Sequence, residues 1–365
     1  MQFSHLEYLC CPNCKGKLNV ISHEIKENEV FEGILECSCC KEKFPILDFI
    51  PIMLPQVNLP DYIHNPGHLA VIRKLGFQNR GGNFGPEDLI KMRSSFQWGV
   101  QRESDSFTSD QANDTNCFSR EFFFEETQLR EEIFRNKLVL DACCGGGRGL
   151  VHSILLGKQV IGLDLSETIF QVRNNIPESH REKLFLVRGD VTRVPFRNET
   201  FDVIYSQRAL HHLPSFEDGL KELKRTLKPE GFLGFSVYSD ENNQIMKFFV
   251  EPFRSFIFEK FGLSGIRIAS EIIAFAVFPV LKGYFKAFRK KESTFLFHQL
   301  FLHWGSMRFK RFCTNIVFDL LHAPKARYLS KIELENILRL NEIVPNSFFH
   351  QHKTVWCVSG KNQKK

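Results

Sequence analysis

The sequence predicts an α/β fold in which a small cysteine-rich module precedes a parallel, doubly wound sheet. From about residue 131 onward, short apolar strands alternate with helical segments, which is the pattern of parallel strands joined by crossover helices. The first 55 residues instead carry paired cysteines and have little core of their own. A chain of 365 residues has room for both parts.

Composition and charge favour a globular protein and set few limits on its partners. Hydrophobic residues make up 43% of the chain and charged residues 25%. The net charge of +6 permits an anionic partner but is lower than nucleic-acid binding usually requires. We see no signal peptide, and the longest late apolar run, Ile272 to Leu281, is ten residues long, whereas a bilayer span needs about 20. We therefore expect a cytoplasmic protein with no transmembrane segment.

Two C-x-x-C pairs near the N-terminus predict a metal site. Cys11 and Cys14 form the first pair, Cys37 and Cys40 the second, and residues 15–36 lie between them. Four thiolates suit a tetrahedral zinc ion and leave no open position, so the site is expected to be structural. Cys10 and Cys39 are additional, and whether either replaces a ligand is open at this stage. Paired cysteines of this kind in an unsecreted chain indicate reduced thiols.

The apolar pattern places the strands and helices of the second part. We predict strands and two main helices, one after an N-cap at Ser119 and one at 216–227 that ends at "KPEG". Near the C-terminus, "SKIELENILRL" predicts a helix, and "VPNSFFHQ" and "KTVWCVSG" predict two strands at one sheet edge. The predicted central strands are Leu138–Ala142, Gln159–Leu163, Leu184–Arg188, Phe201–Ser206 and Phe232–Tyr238.

The loop after the first central strand predicts a cofactor site. Asp141 is followed by "ACCGGGRG", which has neither the G-x-G-x-x-G spacing nor the Walker pattern. The next two strands also end in acids, Asp164 and Asp190. At these positions an acid can accept from ribose hydroxyls or from the amine of an adenine, and Asp141 can meet an ammonium group. Ribose, adenine and an amino acid without phosphate describe S-adenosylmethionine.

These motifs resemble those of class I methyltransferases. "LVLDACCGGGRG" is similar to their first motif, "VIGLDLSE" to the second, and "GDVTRVPFRNETFDVIYSQRALHHL" to the third and fourth. The resemblance covers roughly residues 120–360 and implies a Rossmann-like, seven-stranded sheet that binds S-adenosylmethionine. The residues expected to contact the cofactor are Asp141, Cys143, Gly145, Gly147, Asp164, Leu165, Asp190, Val191 and Ser206.

Cys143 departs from the family pattern, because these methyltransferases usually carry glycine there. We expect Cys143 and Cys144 to pack under the cofactor rather than to act as nucleophiles, which would require a polarising base nearby.

The segment from Tyr8 to Pro55 resembles the zinc-ribbon domain shared with an activator subunit of tRNA methyltransferases. The predicted domains are therefore a zinc ribbon at 1–55, a linker and N-terminal helical cap at 56–130, and a methyltransferase core at 131–239. A helical cap insertion follows at 240–328, and residues 329–365 complete the core.

The resemblance implies methyl transfer to a small-molecule or lipid-like acceptor by in-line displacement. His211 is a candidate general base if the acceptor must lose a proton, although it can also be a packing or capping residue. One alternative is an RNA base methyltransferase that uses the zinc ribbon to contact RNA, although such enzymes typically have His where this chain has Cys40. Another is a non-catalytic cofactor-binding protein.

The insertion is rich in phenylalanine and basic residues, with apolar positions at helical spacing. Two interpretations are open for residues 266–291: a helical lid with a solvated basic end, which the sequence favours, or an amphipathic element that contacts anionic lipid. The basic residues of this segment are Lys282, Lys286, Arg289, Lys290 and Lys291.

Overall fold

The computed structural model describes residues 1–54, 59, 62–78, 119–244, 246–250, 252, 262–291, 298–322 and 326–363. Most of the predicted linker, including the loop "NRGGNFGPED", lies outside these residues. The chain forms two compact units. Unit 1 comprises Met1–Val237, Lys331–Phe349 and Cys357–Lys365, and unit 2 comprises Tyr238–Ser330 and His350–Trp356. The predicted domain boundaries stay predictions.

The N-terminal part of unit 1 is an antiparallel β-meander. Its strands are β1 (Leu18–Lys26), β2 (Glu29–Cys37), β3 (Lys43–Leu47) and β4 (Ile50–Met53), after a 3₁₀ helix at Phe3–Glu7. Helix α1 (Pro66–Lys74) follows, and the Asn65 side chain caps it by accepting from the amides of Gly67 and His68. Buried apolar residues of α1, β2 and β4 share one cluster.

The remaining strands alternate with helices as the sequence predicts. The helices before residue 238 are α2 (Arg120–Thr127), α3 (Glu131–Phe134), α4 (Leu150–Ser153), α5 (Ile169–Asn175) and α6 (Phe216–Thr226), with 3₁₀ helices at Glu178–Lys183, Val191–Arg193 and Leu210–His212. The strands are β5 (Leu138–Ala142), β6 (Gln159–Asp164), β7 (Leu184–Gly189), β8 (Phe201–Ser206), β9 (Leu227–Tyr238), β10 (Ile343–Gln351) and β11 (Val355–Asn362).

Eleven strands of the described part of the chain form one sheet. Their order is β1-β2-β3-β4-β7-β6-β5-β8-β9-β11-β10, so seven strands after residue 131 form the Rossmann-like sheet. Strand β4 pairs in parallel with β7, with Ile52 opposite Arg188. The N-terminal meander therefore covers the edge of β7, which would otherwise expose unpaired backbone groups. The sequence pattern contains no signal for this pairing.

Two predicted elements differ from the structure by more than two residues at one end. The helix predicted after Ser119 is two helices, because Gln128 adopts φ 53° and ends α2 there; Ser119 caps α2 as expected, accepting from the amide of Phe122. Strand β9 begins at Leu227 rather than at Phe232. A register shift opposite residues 201–203 absorbs the extra residues and lets pairing start earlier.

Unit 2 is mainly helical in the described residues between 244 and 322. It contains π-helical turns at Met246–Val250 and Cys313–Phe318 and helices α7 (Gly262–Phe288), α8 (His298–Ser306), α9 (Phe309–Phe312) and α10 (Asp319–His322). Helix α11 (Lys331–Leu340) belongs to unit 1.

The structure corrects the expected length of the late apolar segment. Residues Gly265–Phe288 form a segment of 24 residues that is long and apolar enough to cross a membrane by length and composition, and an 18-residue window within it has a mean hydropathy of 1.6. The ten-residue estimate was too short because it counted only uninterrupted apolar residues, whereas the helix continues through the charged positions that flank them.

Candidate functional site

The loop after β5 reverses direction sharply and is held against β6. Gly145 and Gly147 adopt φ values of 53° and 90°, which glycine tolerates without strain. Cys143 also lies in this left-handed region, with φ 68°. The amides of Cys143 and Cys144 donate to the Leu163 carbonyl at 2.7 and 3.0 Å. The backbone therefore explains why glycine suits position 143, and why a cysteine there is strained.

The acids at the ends of β6 and β7 are held by the same kind of turn. Asp164 Oδ1 accepts from the amide and hydroxyl of Ser166, at 2.8 and 2.6 Å. Asp190 Oδ1 accepts from the amide and hydroxyl of Thr192, both at 2.8 Å. The pattern Asp-x-Ser/Thr thus orients each carboxylate. Asp164 Oδ2 also accepts from the Gly145 amide at 2.7 Å, which joins the glycine loop to β6.

These loops surround a cavity at the carboxyl ends of the strands, where ligands bind in open α/β sheets. It encloses about 880 Å³ of space not filled by atoms, open mouth included. Its walls come from the glycine loop, from the ends of β6, β7 and β8, and from the segment after β8. The lining residues are Cys143, Gly145, 163–166, Thr168, 189–191, 207–209 and 212–214.

The structure brings six of the nine predicted cofactor residues to this cavity: Cys143, Gly145, Asp164, Leu165, Asp190 and Val191. The other three, Asp141, Gly147 and Ser206, are outside the lining. Gly147 packs against Val172, where a Cβ would lie 2.9 Å from the valine Cγ1. Ser206 is fully buried. The individual roles of all nine stay predictions.

Asp141 lies buried close to the cavity. Burial raises the pKa of its carboxyl to about 8, and the neighbouring Asp164 adds to the shift, while a hydrogen bond from Tyr205 opposes it. Gly149 leaves room beside it, because a Cβ there would lie 2.9 Å from Asp141 Oδ2. A cation placed next to this carboxyl would relieve its desolvation.

The two histidines after β8 have different environments. His211 is buried and does not line the cavity, and burial lowers its pKa well below the usual value. His212 is half-buried and lines the cavity. The geometry therefore favours His212, not His211, as the histidine that a bound acceptor would meet.

Sequence reasoning missed Gln207 and Arg208, which also line the cavity. The Gln207 amide donates to a Glu126 carboxylate oxygen at 2.9 Å, and Arg208 Nε donates to the other oxygen of the buried Glu126. Their position directly after a strand that ends at the site was the available signal. The partner on α2 is 81 residues away from Gln207 and could not be read from the sequence.

Neither cysteine of the glycine loop has the lowered thiol pKa that is typical of a nucleophilic cysteine. Burial, together with the charges of Asp141 and Asp164, raises the pKa of both thiols well above the usual value. Cys144 belongs to the apolar core of unit 1. Protonated thiols are poor nucleophiles, which favours the predicted packing role for these residues.

The four predicted metal ligands come together at the tip of the N-terminal meander. The sulfurs of Cys11, Cys14, Cys37 and Cys40 all lie within 4.8 Å of one another. Gly16 makes this approach possible, since a Cβ there would lie 3.0 Å from Cys37 Sγ and 3.2 Å from Cys14 Sγ. Such a cluster fits one tetrahedral metal ion. Cys10 is buried and Cys39 exposed, and neither belongs to this cluster.

The two cysteine turns are built alike. Each C-x-x-C is followed by a lysine with positive φ, 59° at Lys15 and 60° at Lys41. The Lys15 amide donates to Cys11 and the Lys41 amide to Cys37, at 2.8 and 3.1 Å. Lys15 Nζ also forms an ion pair with Glu222 of α6 at 2.8 Å, which ties the cluster to the sheet domain.

The geometry agrees with comparisons to known proteins. Residues 140–235 match the family model described as a methyltransferase domain. The chain is 30% identical over 127 residues to a demethylmenaquinone methyltransferase of Geobacillus sp. (strain WCH70), covering 33% of this chain and 54% of that protein. It is 35% identical over 106 residues to a sterol 24-C-methyltransferase of Pneumocystis carinii (strain B80), covering 28% of each.

Among solved structures, the complex of the Haloferax volcanii Trm112 methyltransferase activator with a methyltransferase is similar at 12% identity and a TM-score of 0.44, over 74% of this chain and 98% of that chain. The chain spans about half the length, or less, of the curated relatives described above. The matched segment contains the glycine loop, both turn-held carboxylates and α6. The similarity to a methyltransferase domain is therefore established for residues 140–235.

Proposed function

We propose that this protein transfers a methyl group from S-adenosylmethionine to a small, lipid-like acceptor. The observation that carries the proposal is the single cavity at which a left-handed glycine loop and two turn-held carboxylates, Asp164 and Asp190, converge. The matched relatives act on a menaquinone precursor and on sterols by name, and both acceptors are hydrophobic. The cofactor, when bound, supplies an activated methyl group.

Different residues of the chain are expected to hold different parts of the cofactor. Asp164 is oriented by Ser166 and Gly145 to accept from ribose hydroxyls, and Asp190 is oriented by Thr192 to accept from an adenine amine. Asp141 is the candidate partner for the ammonium group. Because these carboxylates are held before binding, little ordering entropy is lost when the ligand enters.

The acceptor is expected in the same cavity, beside the cofactor. Leu213 and Pro214 supply apolar surface to the cavity, and Arg208 and His212 supply polar groups. The buried Glu126 fixes the Arg208 side chain, whose guanidinium can then orient an acceptor oxygen. His212 is the candidate to hold the proton of an acceptor that must lose one.

The cysteine cluster is proposed to bind a structural zinc ion. All four thiolates would be ligands, which leaves no position for a substrate. A reducing compartment such as the cytoplasm would keep them available, and we propose that location. An RNA-binding role for this module has less support, since Lys15, Lys26 and Lys43 are already paired with carboxylates.

Cofactor binding tests the proposal first. Isothermal titration with S-adenosylmethionine should show saturable binding to the full chain and a loss of at least about tenfold in Asp164→Ala, because two or more charge-assisted hydrogen bonds disappear. Asp218→Ala, an exposed acid on α6, is the matched control and should bind as the unsubstituted chain does. Absence of binding in the unsubstituted chain would reject the proposal.

The acceptor class requires a transfer assay. Full-length protein, cofactor labelled in the methyl group and fractionated cell extract should yield label in the organic-soluble lipid pool. Label in RNA would support the ribosomal or transfer RNA alternative, and binding without any transfer would support a non-catalytic protein. His212→Ala should lower turnover of the acceptor while leaving cofactor affinity unchanged.

A further inference from the structure

We propose that helix α7 of unit 2, together with the basic residues that follow it, binds the surface of an anionic lipid bilayer. This inference goes beyond the proposed methyl transfer and concerns where the protein works. The helix exposes an apolar surface on one side and ends in a cluster of cations. We call the residues Ile268, Ile272, Phe275 and Val280 its outer face.

The opposite side of α7 is packed within unit 2. Ile266, Ser270, Ala274 and Leu281 are buried at helical spacing along it. Gly305 of α8 lies against this side, since a Cβ there would be 2.4 Å from the Leu281 carbonyl oxygen. Tyr284 Oη lies 2.8 Å from His298 Nδ1, within hydrogen-bond distance. The helix is therefore held by its own neighbours, and its outer face is not needed for packing inside the unit.

The outer face is exposed although its residues are large and apolar. The exposed fractions are 60% for Ile268, 64% for Ile272, 76% for Phe275 and 71% for Val280. Ile268, Ile272 and Phe275 recur at spacings of four and three, so they share one side of the helix, and Val280 lies at the edge of that side, about 80° around the axis from Ile272. A contiguous apolar surface of this kind marks a site that contacts a protein or a membrane.

The charges near the end of α7 favour a membrane over a second copy of the protein. Lys282, Lys286, Arg289, Lys290 and Lys291 lie within ten residues, and no acid occurs between 272 and 291. Two copies of this surface would bring these cations together, which opposes self-association. Anionic headgroups complement them, and the acyl chains beneath would receive the outer face, as for an amphipathic helix that lies in the plane of the interface.

The packed side of α7 argues for a surface position rather than a span. A spanning helix would carry its partners into the hydrocarbon, among them α9 with its exposed Lys310. Within the 24-residue apolar segment, Arg267, Glu271, Lys282 and Lys286 would also enter the bilayer, where charged side chains are costly.

Vesicle flotation with the full chain tests this proposal. The protein should float with phosphatidylcholine vesicles that contain phosphatidylglycerol and remain behind with phosphatidylcholine alone or at high salt. The double variant Phe275→Glu with Val280→Glu should lose at least about tenfold in partition. Each Lys→Gln change at 282, 286, 290 or 291 should weaken binding about fivefold.

Leu340→Glu is the matched control, because Leu340 is an apolar helical residue with 80% of its surface exposed on α11. It should float like the unsubstituted chain. Equal loss in this control, or no flotation of the unsubstituted chain, would overturn the proposal. Extraction only by detergent would overturn it in favour of a spanning helix. A dimer without lipid that Phe275→Glu dissociates would overturn it in favour of a second copy of the chain.

Cofactor titration on the same samples keeps the two proposals apart. The Phe275 and Val280 variant should bind S-adenosylmethionine with unchanged affinity. If the protein binds vesicles but not the cofactor, the membrane proposal is supported and the methyltransferase proposal is rejected. If it binds the cofactor but not vesicles, the methyltransferase proposal is supported and the membrane proposal is rejected.

Discussion

Helices α6 and α7 differ in how far their apolar side chains are buried. In α6, Phe216, Leu220 and Leu223 face the core, while Glu217, Asp218 and Lys221 face water. In α7, the outer face is exposed and only one side is packed. The apolar residues of α6 are thus buried in the core, whereas α7 has apolar side chains that unit 2 leaves exposed.

The two units also differ in how many ionisable groups they bury among the described residues. Unit 1 buries Asp141, Glu126, Arg188 and His211, at the cost of removing polar groups from water. Such desolvation is tolerated where a ligand or a fixed partner compensates it. Unit 2 instead exposes hydrophobic side chains next to cations. The comparison agrees with the two proposals, a small polar ligand for unit 1 and an extended surface for unit 2.

Metal removal should have the largest effect and should be confined to unit 1. Structural zinc sites contribute about 10–16 kcal/mol of apparent binding free energy, so a chelator should greatly increase hydrogen exchange in residues 1–54. Cys37→Ser should lose the metal, whereas Cys39→Ser, outside the cluster, should retain it in elemental analysis. If chelation also abolished vesicle binding, the effect of metal removal would not be confined to unit 1.

An apolar deletion should distinguish the two helices directly. Leu220→Ala on α6 should lower the local free energy of unfolding by about 2–5 kcal/mol, because it leaves a cavity in the core. Phe275→Ala on α7 should change it by less than about 0.5 kcal/mol in the absence of lipid, since the ring is exposed. Hydrogen exchange reports each helix separately, and a large cost for Phe275→Ala would show that the outer face is packed in solution.

The buried carboxyl of unit 1 should make its properties depend on pH. The pKa of Asp141 is raised by burial from its ordinary value of 3.8 to about 8. The folded state therefore holds the proton more tightly than the unfolded state, and the free energy of unfolding should fall as pH rises from about 4 to about 8. Asp141→Asn should remove this slope in denaturant titrations.

Cofactor binding should show the opposite dependence. An ammonium group beside Asp141 favours its carboxylate, so binding should release a proton and strengthen by up to about tenfold per pH unit below pH 8. Calorimetry in buffers of different ionisation enthalpy measures the released proton. A pH-independent affinity, or one that Asp141→Asn leaves unchanged, would contradict the assigned contact.

A small effect is expected at the strained cysteine. Cys143→Gly should change the free energy of unfolding by about 1 kcal/mol or less in the stabilising direction, because φ 68° suits glycine. Cofactor affinity should stay within about threefold, since no hydrogen bond is lost. Cys143→Val should weaken both, because a β-branched residue is disfavoured at this φ. Equal behaviour of the two variants would show that backbone strain is unimportant here.

The local elements and their order were determined by the sequence alone. Alternating apolar runs predicted β5 and β8 to the residue, Ser119 was recognised as a cap, and the two C-x-x-C pairs identified the four sulfurs that lie together. These signals are local, since a strand, a cap or a cysteine turn depends on residues a few positions apart. The acids Asp164 and Asp190 were found in the same way, from their positions after strands.

Tertiary structure alone decided the features that depend on distant residues. It joined β4 to β7, brought Glu126 to Arg208, and separated the buried His211 from His212 at the cavity. It also showed which side of α7 is packed and which remains exposed. Burial, and pairing between residues tens of positions apart, depend on how distant segments of the chain pack together. The periodicity of one segment carries no information about that packing.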